Sequence, residues 1–421
     1  MNLHPVCILG LGINLGDLPP SVLGCIEQSG LLVGGQRILD HFPDTTARKM
    51  PIKAPLEEVI AGLIQAREQG QKVTVLADGD PLFFGIGQRL IRELGPDSVE
   101  LHPGVTVLQE AAARLKIPWQ DIPTVSLHGR SAILPLLRSI SRNEMTGVFT
   151  DQTWTPAALA RALTNCGARD FSLHVFENLH SELENSVELD LEEASHREFS
   201  PLNFVMLKRT RKPEVTLQLG TPDELFLHHQ GLITKKEVRV LGLSALQIEN
   251  RHTVWDIGSG CGSVALEASL LAGQGQVLAV EEDPPRADQI WENRARTGAY
   301  AVQIVNQRAP DCFSSLPEPD RIFIGGGMGR NPALLNEALG CLRPQGRLVA
   351  HFTLLGSLQA GMETAKELDR PFEVTQALVS RSRPLGGDIR LDPLNPVFIL
   401  AVGPESSRPG SRSMVLPSLH S

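Results

Sequence analysis

The sequence predicts an α/β fold in two modules, one over residues 1–210 and one over 211–405, with a disordered tail over 406–421. Three observations point there. Apolar, strand-like runs alternate with helix-periodic stretches on both sides of residues 208–220. Each module begins with a strand that runs into a glycine turn. The joint, KRTRKPEVTLQLGTPDE, is basic and then interrupted by prolines, as linkers are. At roughly 150 residues per domain, a chain of 421 residues suits such a division.

Taken in order, the run VCILG reads as a buried strand ending at the turn Gly10-Leu-Gly12. PLEEVIAGLIQAREQG places Leu56, Val59, Ile60, Leu63 and Ile64 on one helical face and stops at Gly70. KVTVLAD is the next strand. It leads into the loop GDPLFFGIG and a helix through RLIREL that ends at Gly95-Pro96, a βαβ rhythm. Further strands are expected at TVSLHG, GVFT, FSLHVFE and LNFVMLK. In the second module, Thr234-Lys-Lys-Glu237 fits an S/T-x-x-E capping box and opens a helix towards Leu246. Seven strands follow, at TVWDI, QVLAVE, VQIV, DRIFI, GRLVAHF, FEVTQALVS and PVFILAV, with helices between the first five or six. That pattern predicts a doubly wound sheet with its ligand crevice at the carboxyl ends of the strands.

Composition narrows the function. There are 39 basic and 48 acidic side chains, a net charge of -9. Residues 1–210 carry 18 basic and 25 acidic groups and the remainder 21 and 23, so the modules stand at -7 and -2. Neither balance suits binding to nucleic acid or an anionic membrane by bulk charge. The acidic run from Glu182 to Glu198 reads as a solvated face. Six cysteines without a CxxC pair read as reduced thiols of a cytoplasmic protein. No basic residue precedes Arg37 and no apolar run reaches about 18 residues, so neither a signal peptide nor a membrane span is expected.

The sharpest chemical signal is Val254-Trp-Asp256-Ile-Gly258-Ser259-Gly260-Cys261-Gly262. Alternating glycines after a strand let backbone approach a ligand, and the helix that follows offers free amides to an anion. Nineteen residues beyond Gly262, Glu281 ends the second strand, where a carboxylate accepts both hydroxyls of a ribose. The acid before a G-x-G-x-G turn favours S-adenosylmethionine over a nicotinamide dinucleotide. Phe323-Ile-Gly325-Gly326-Gly327 marks the end of the fourth strand, where a substrate would enter. His228-His229 lies at no metal-ligand spacing, and no metal is expected. His128, in LHGR, is either a general base or a loop-fixing side chain. Arg381 and Arg383 suit carboxylates, or form a solvated pair at a turn.

PDELFLHHQGLITKKEVRVLGLSAL, WDIGSGCGSVALEAS, AVEEDP, DRIFIGGG, CLRPQGRLVAHFTL, RSRPLGG and LNPVFI occur in that order. Over roughly 220–403 the chain thereby resembles the decarboxylating precorrin methyltransferase family of cobalamin synthesis. The resemblance implies a Rossmann-like methyltransferase fold of seven strands and cofactor contacts at Thr234, Gly258, Ser259, Gly260, Cys261, Gly262, Glu281 and Ala309. Asn306-Gln-Arg308 stands where the family usually has a Gly-Asp pair, and Leu355 where it often has glutamate. Over about 5–208, Ile8-Leu-Gly10-Leu-Gly12, Val33-Gly-Gly35, VLADGDPLFFGIG, LQEAAARL, VSLHGR, Thr150-Asp151, Thr155-Pro156 and VFENL resemble the two-lobed tetrapyrrole methylase family. That resemblance implies a second S-adenosylmethionine site, with contacts at Gly10, Gly12, Gly79, Asp80 and Pro81. Asp78 replaces a frequent serine there, and the first loop lacks its usual third glycine.

Together the resemblances imply an enzyme of corrin ring synthesis. It would methylate meso carbons 5 and 15 of precorrin-6B and remove the carbon 12 acetate carboxyl as carbon dioxide, giving precorrin-8. A cobalt-containing substrate is the alternative. The N-terminal module would serve carbon 5; the C-terminal one, carbon 15 and decarboxylation. Glu237 and His128 are the general-base candidates, and Arg381 and Arg383 the partners of substrate carboxylates. A tetramer, or at least a homo-oligomer, is implied as well. An RNA or protein methyltransferase is the rival enzyme class, which the negative modules disfavour. A non-catalytic tetrapyrrole carrier is a further rival for the N-terminal module.

Overall fold

The computed structural model describes residues 4–53, 55–129, 132–325 and 333–404. They fall into two compact units, Met1–Thr164 with Asp170–Thr210, and Asn165–Arg169 with Arg211–Ser421. The expected tail, 406–421, lies outside the described residues, as do Gly326 and Gly327.

The first unit holds two five-stranded sheets. One is wholly parallel, in the order Arg48–Pro51, Leu31–Gly34, Val73–Ala77, Val6–Gly10, Val99–His102. Its three inner strands, Leu31–Gly34, Val73–Ala77 and Val6–Gly10, read as near-continuous apolar runs because helices cover both faces. Val6, Ile8, Val33 and Val75 pack on Val59, Ile60 and Leu63 of the helix Leu56–Glu68. Leu9, Leu32 and Leu76 pack on Val22 and Ile26 of the helix Pro20–Glu27 and on Leu39. The second sheet runs Thr124–Ser126, Met145–Phe149, Asn203–Arg209, Phe171–Glu177, Asn185–Asp190, antiparallel except for its first pair. The acidic run is its edge: Asn185–Asp190 alternates in exposure, and Asp190 with Glu193 closes a capping box on the short helix Leu191–His196.

The second unit is a seven-stranded sheet. Its order is Val302–Val305, Gln276–Val280, Thr253–Ile257, Arg321–Ile324, Arg347–Phe352, Val397–Val402, Phe372–Ala377. The first five strands are parallel, and Val397–Val402 runs antiparallel between its neighbours. Helices Lys236–Leu246, Ser263–Leu271 and Pro284–Thr297 bury one face through Val238, Leu243, Val264, Ala265 and Ile290. Ala333–Cys341 and Leu355–Glu367 bury the other, against Trp255, Ile257, Ile322 and Leu348. Trp255 meets its polar need by donating its indole N–H to Pro317 O at 3.1 Å.

Two expectations are corrected here. FEVTQALVS is not one strand: it breaks after Ala377 and continues as a hairpin, Ser380–Leu385 with Asp388–Pro393. The turn is Gly386-Gly387, both at positive φ (59° and 86°), the backbone a two-residue hairpin needs. The capping box at Thr234 does not form: Lys235 is the N-cap, and its helix carries no side-chain cap. The Glu237 carboxylate is drawn instead to Arg381, because a charged fork outbids a backbone amide.

Candidate functional site

In the second unit, the strand Thr253–Ile257 is flanked by Gln276–Val280 on one side and Arg321–Ile324 on the other, so the winding reverses beside it. At that switch point the Gly325 amide bonds Ile257 O at 3.3 Å. The loop 258–262 is fixed from below: the Gly258 and Ser259 amides bond Val280 O at 2.9 and 3.0 Å. Gly258, Gly260 and Gly262 all sit at positive φ. They do so for different reasons. A Cβ on Gly262 would meet Ile290 Cγ2 at 2.8 Å, whereas a Cβ on Gly260 would enter open space. Gly262 is therefore a packing glycine and Gly260 a cradle.

Asp256 does structural work in this loop. Its Oδ2 accepts from Ser259 Oγ at 2.6 Å and from the Ala265 amide at 3.0 Å. It thus caps the helix Ser263–Leu271, whose N-cap, Gly262, has no side chain to do so. Burial pushes its carboxyl up to about 7, with the Ser259 and Ala265 hydrogen bonds opposing and the Glu281 charge adding to the rise. Glu281, only 4% exposed, accepts from the Gly260 amide at 2.8 Å and the Asp283 amide at 3.1 Å, each oxygen keeping a further lone pair. Its carboxylate is thereby aimed across the glycine loop. Asn306 bonds Glu281 O at 2.9 Å and Glu282 O at 3.3 Å, pinning the segment that leads to half-buried Ala309. Cys261 is buried, and burial raises its thiol pKa.

Thr234 and Glu237 belong to a buried polar network invisible in the sequence. Arg239, with no exposed surface, bonds Glu267 Oε1 at 2.8 Å, Asp223 Oδ1 at 3.3 Å, Thr234 O at 2.6 Å and Thr221 O. Glu267 also takes the Gly220 and Thr221 amides at 3.0 Å each. Arg381 bridges Asp223 at 2.8 Å and Glu237 at 2.7 and 3.2 Å. The Arg381 hydrogen bonds hold the Glu237 carboxyl below its usual 4.5, so it is a weaker proton acceptor than a free glutamate. The two arginines expected to act together part company. Arg381 is tied inward, and exposed Arg383 lies 3.5 Å from Asp392. Asn293 adds a second link that sequence reasoning missed: its amide bonds Cys261 O at 2.9 Å and both backbone groups of Leu227 at 2.7 and 2.8 Å.

In the first unit the glycine turns meet face to face. Gly12 and Gly79, both at positive φ, exchange backbone hydrogen bonds of 3.3 and 3.0 Å. A Cβ on Gly10 would stand 2.5 Å from Gly104 N, and one on Gly104 would stand 2.4 Å from Gly79 O and 2.7 Å from Gly12 N. Gly104 is thus a fourth member of the stack, signalled only by its place after Pro103. Asp80 accepts from the Leu82 amide at 2.8 Å and the Gly104 amide at 3.2 Å, which shapes the loop. Pro81 O takes the Gly87 amide at 2.9 Å. These loops open on a cavity of about 750 Å³ lined by Gly79, Asp80, Thr106, His128, Phe149 and Asn203, among others. Phe83, Phe84, Phe149 and Phe204 form a chain of ring contacts along it, with centroids 5.1–5.4 Å apart between successive partners. Arg37 and Asp78 pair on its wall. His128 is exposed on the wall, and it is Asp151, accepting from Gly129 at 2.8 Å, that ties its loop.

An α/β framework with two such glycine turns, one facing an aimed carboxylate and one opening on an aromatic cavity, defines a methyltransferase of the class that uses S-adenosylmethionine. The tetrapyrrole (corrin/porphyrin) methylase profile matches residues 5–195, and the precorrin methyltransferase domain profile matches 224–403. The chain is 31% identical over 400 residues to the precorrin-6Y C(5,15)-methyltransferase [decarboxylating] of Sinorhizobium sp, covering 93% of this chain and 94% of that protein. It is 34% identical over 187 residues to the cobalt-precorrin-6B C(15)-methyltransferase (decarboxylating) of Salmonella typhimurium, covering 44% and 96%. A solved structure of precorrin-6y C5,15-methyltransferase from Geobacter metallireducens covers 44% of this chain and 97% of its own, at 32% identity and a TM-score of 0.42. The chain belongs to the precorrin-6Y C(5,15)-methyltransferase (decarboxylating) family.

Proposed function

We propose that this chain methylates carbons 5 and 15 of the metal-free tetrapyrrole precorrin-6B and decarboxylates its carbon 12 acetate, with one S-adenosylmethionine site in each unit. The observation that carries the reading is the match to the full-length family over 93% of the chain, with a glycine-turn site in each matched domain. Residues 1–210, of the two-lobed tetrapyrrole methylase type, are assigned the carbon 5 methylation. Residues 211–405, of the Rossmann-like type, are assigned carbon 15 and the decarboxylation, the activities for which the shorter Salmonella relative is named.

S-adenosylmethionine supplies a methyl group on a sulfonium, already activated for attack. The chain's residues supply position and a dry setting. In the second unit Glu281 receives the ribose hydroxyls, and the Gly260 cradle leaves room for the cofactor beside it. Thr234 and Ala309 flank it. In the first unit the packing of Gly10 and Gly12 on Gly79 and Gly104 holds the turns together, Gly79 offers backbone to the cofactor on the cavity wall, and the phenylalanines receive the planar face of the macrocycle.

The nucleophile is the substrate's own electron-rich meso carbon. It forms the new C–CH3 bond as the S–CH3 bond breaks, the electron pair staying on sulfur as a neutral thioether, and then gives up its proton, for which His128 on the cavity wall is the acceptor in the first unit. On decarboxylation the C–CO2 bond electrons pass into the conjugated ring, and a proton replaces carbon dioxide. Arg383, exposed on the hairpin, is the partner for peripheral carboxylates, whereas Arg381 orders Glu237.

Mass spectrometry of the pigment tests this. The intact chain should add two methyls to metal-free precorrin-6B and remove one carbon dioxide. A chain whose first site is blocked should add one methyl and still decarboxylate. Turnover of the cobalt-loaded pigment alone would move the substrate to the metal-containing series, and modification of neither would refute the reading.

A further inference from the structure

Cys7, Cys25 and His102 are distant in sequence, yet each places a potential ligand atom within 4.8 Å of the other two, the one such group of three or more among the described residues. They come from the strand Val6–Gly10, the helix Pro20–Glu27 and the strand Val99–His102. Parallel pairing sets Cys7 opposite Glu100 and Leu9 opposite His102. Side chains two apart share a sheet face, so all of these meet on the face that Pro20–Glu27 covers. Glu100 Oε1 lies 3.0 Å from His102 Nε2. None of the three potential ligands lines the glycine cavity.

We infer that Cys7, Cys25 and His102 bind one thiophilic divalent cation, zinc, with the Glu100 carboxylate orienting the imidazole. Two sulfurs and one imidazole nitrogen are a donor set that selects zinc over the hard cations. A tetrahedron of such bonds has edges of about 3.5 Å, which atoms already within 4.8 Å reach by side-chain rotation. The exchange balances without any oxidant: two thiols release their protons to solvent, two S–Zn bonds and one N–Zn bond form, and water takes the fourth position. A carboxylate behind a ligand histidine fixes its tautomer and ring plane, making Glu100 a positioning residue.

The location gives such an ion a task. Cys7 stands three residues before Gly10 and His102 two before Gly104, and those glycines touch backbone to backbone. A cation here would clip together the roots of the two strands whose ends build the first glycine stack, and anchor both to the helix that follows its loop.

The test uses the full-length chain, purified without chelator and kept reduced by a phosphine. Its zinc content is measured by mass spectrometry, and cobalt(II) is titrated in as a spectroscopic stand-in. The expected result is one zinc per chain, and a cobalt complex with sulfur-to-metal charge transfer and tetrahedral ligand-field bands. Cys25→Ser and His102→Gln should each lose that spectrum. Glu100→Gln, a change on an exposed side chain, should keep it with affinity weakened about 10- to 100-fold. Zinc retained by the Cys7→Ser/Cys25→Ser double variant would overturn the proposal. So would a cobalt spectrum without sulfur charge transfer, or a reduced chain that carries no zinc and takes up no cobalt. Thermal melting of each variant separates loss of the site from loss of the fold.

Discussion

Asp256→Asn isolates the most perturbed carboxyl of the second unit. Asp256 is 1% exposed, and burial raises its carboxyl from 3.8 to about 7. The folded protein therefore holds a proton there that the unfolded chain gives up. The associated stability is complete below about pH 4, falls as the pH rises towards 7, and is gone above it. The gap between 3.8 and about 7, at 1.36 kcal/mol per pH unit, corresponds to about 4 kcal/mol. Asparagine keeps an oxygen to accept from Ser259 and the Ala265 amide but has no charge to bury. The assay is urea unfolding of wild type and variant at matched pH values from about 5 to about 8, taking the difference so that every other titrating group cancels. Wild type should lose stability relative to Asp256→Asn by about 1 kcal/mol per pH unit from about pH 5 to about 6.5, and the difference should level off above about pH 7. A difference that stays flat, or changes in wild type's favour as the pH rises, would refute the buried-proton account.

Gly104→Ala drives a methyl into Gly79 O and Gly12 N, backbone atoms that cannot step aside. It should cost about 1–3 kcal/mol and reduce bound S-adenosylmethionine from two per chain to one by equilibrium dialysis. Glu267→Gln leaves fully buried Arg239 short of its closest carboxylate and, with the amide oxygen kept towards Arg239 and Thr221, turns an amide donor towards the Gly220 N–H. A loss of about 3 kcal/mol in denaturant unfolding is expected. Arg381→Met frees Glu237, whose carboxyl should return towards 4.5 in a carbon-13 titration. Because Arg381 is partly exposed, the stability lost should be only about 1 kcal/mol. In wild type that contribution is present above pH 4.5 and fades as the pH falls below it, so the variant should show a flatter acid limb.

Much of this architecture is carried by local patterns. The strands of the second unit announce themselves as apolar runs, and WDIGSGCGS, with Glu281 beyond it, defines a glycine turn and its acid without any structure. The edge strands were harder. Arg48–Pro51, Val99–His102 and Asn185–Asp190 are short or charged, so their identity comes from the neighbour they bond rather than from their own composition. FEVTQALVS has uniform strand character, and only its partners decide where it changes sheets.

The sequence by itself thus determined the inner strands, the two-module order and the positions of the glycine turns, because hydrophobic period and backbone freedom are properties of neighbouring residues. Tertiary structure alone decided the partners. Thr234-Lys-Lys-Glu237 has the letters of a capping box, but Arg381, 144 residues away from Glu237, competes for the same carboxylate and wins. Gly104 joins the stack of Gly10, Gly12 and Gly79, Arg239 finds Glu267, and Cys7 finds Cys25 and His102 through strand order and helix packing. Charge pairing, steric contact and ligand convergence act across space, and no spacing along the chain encodes them.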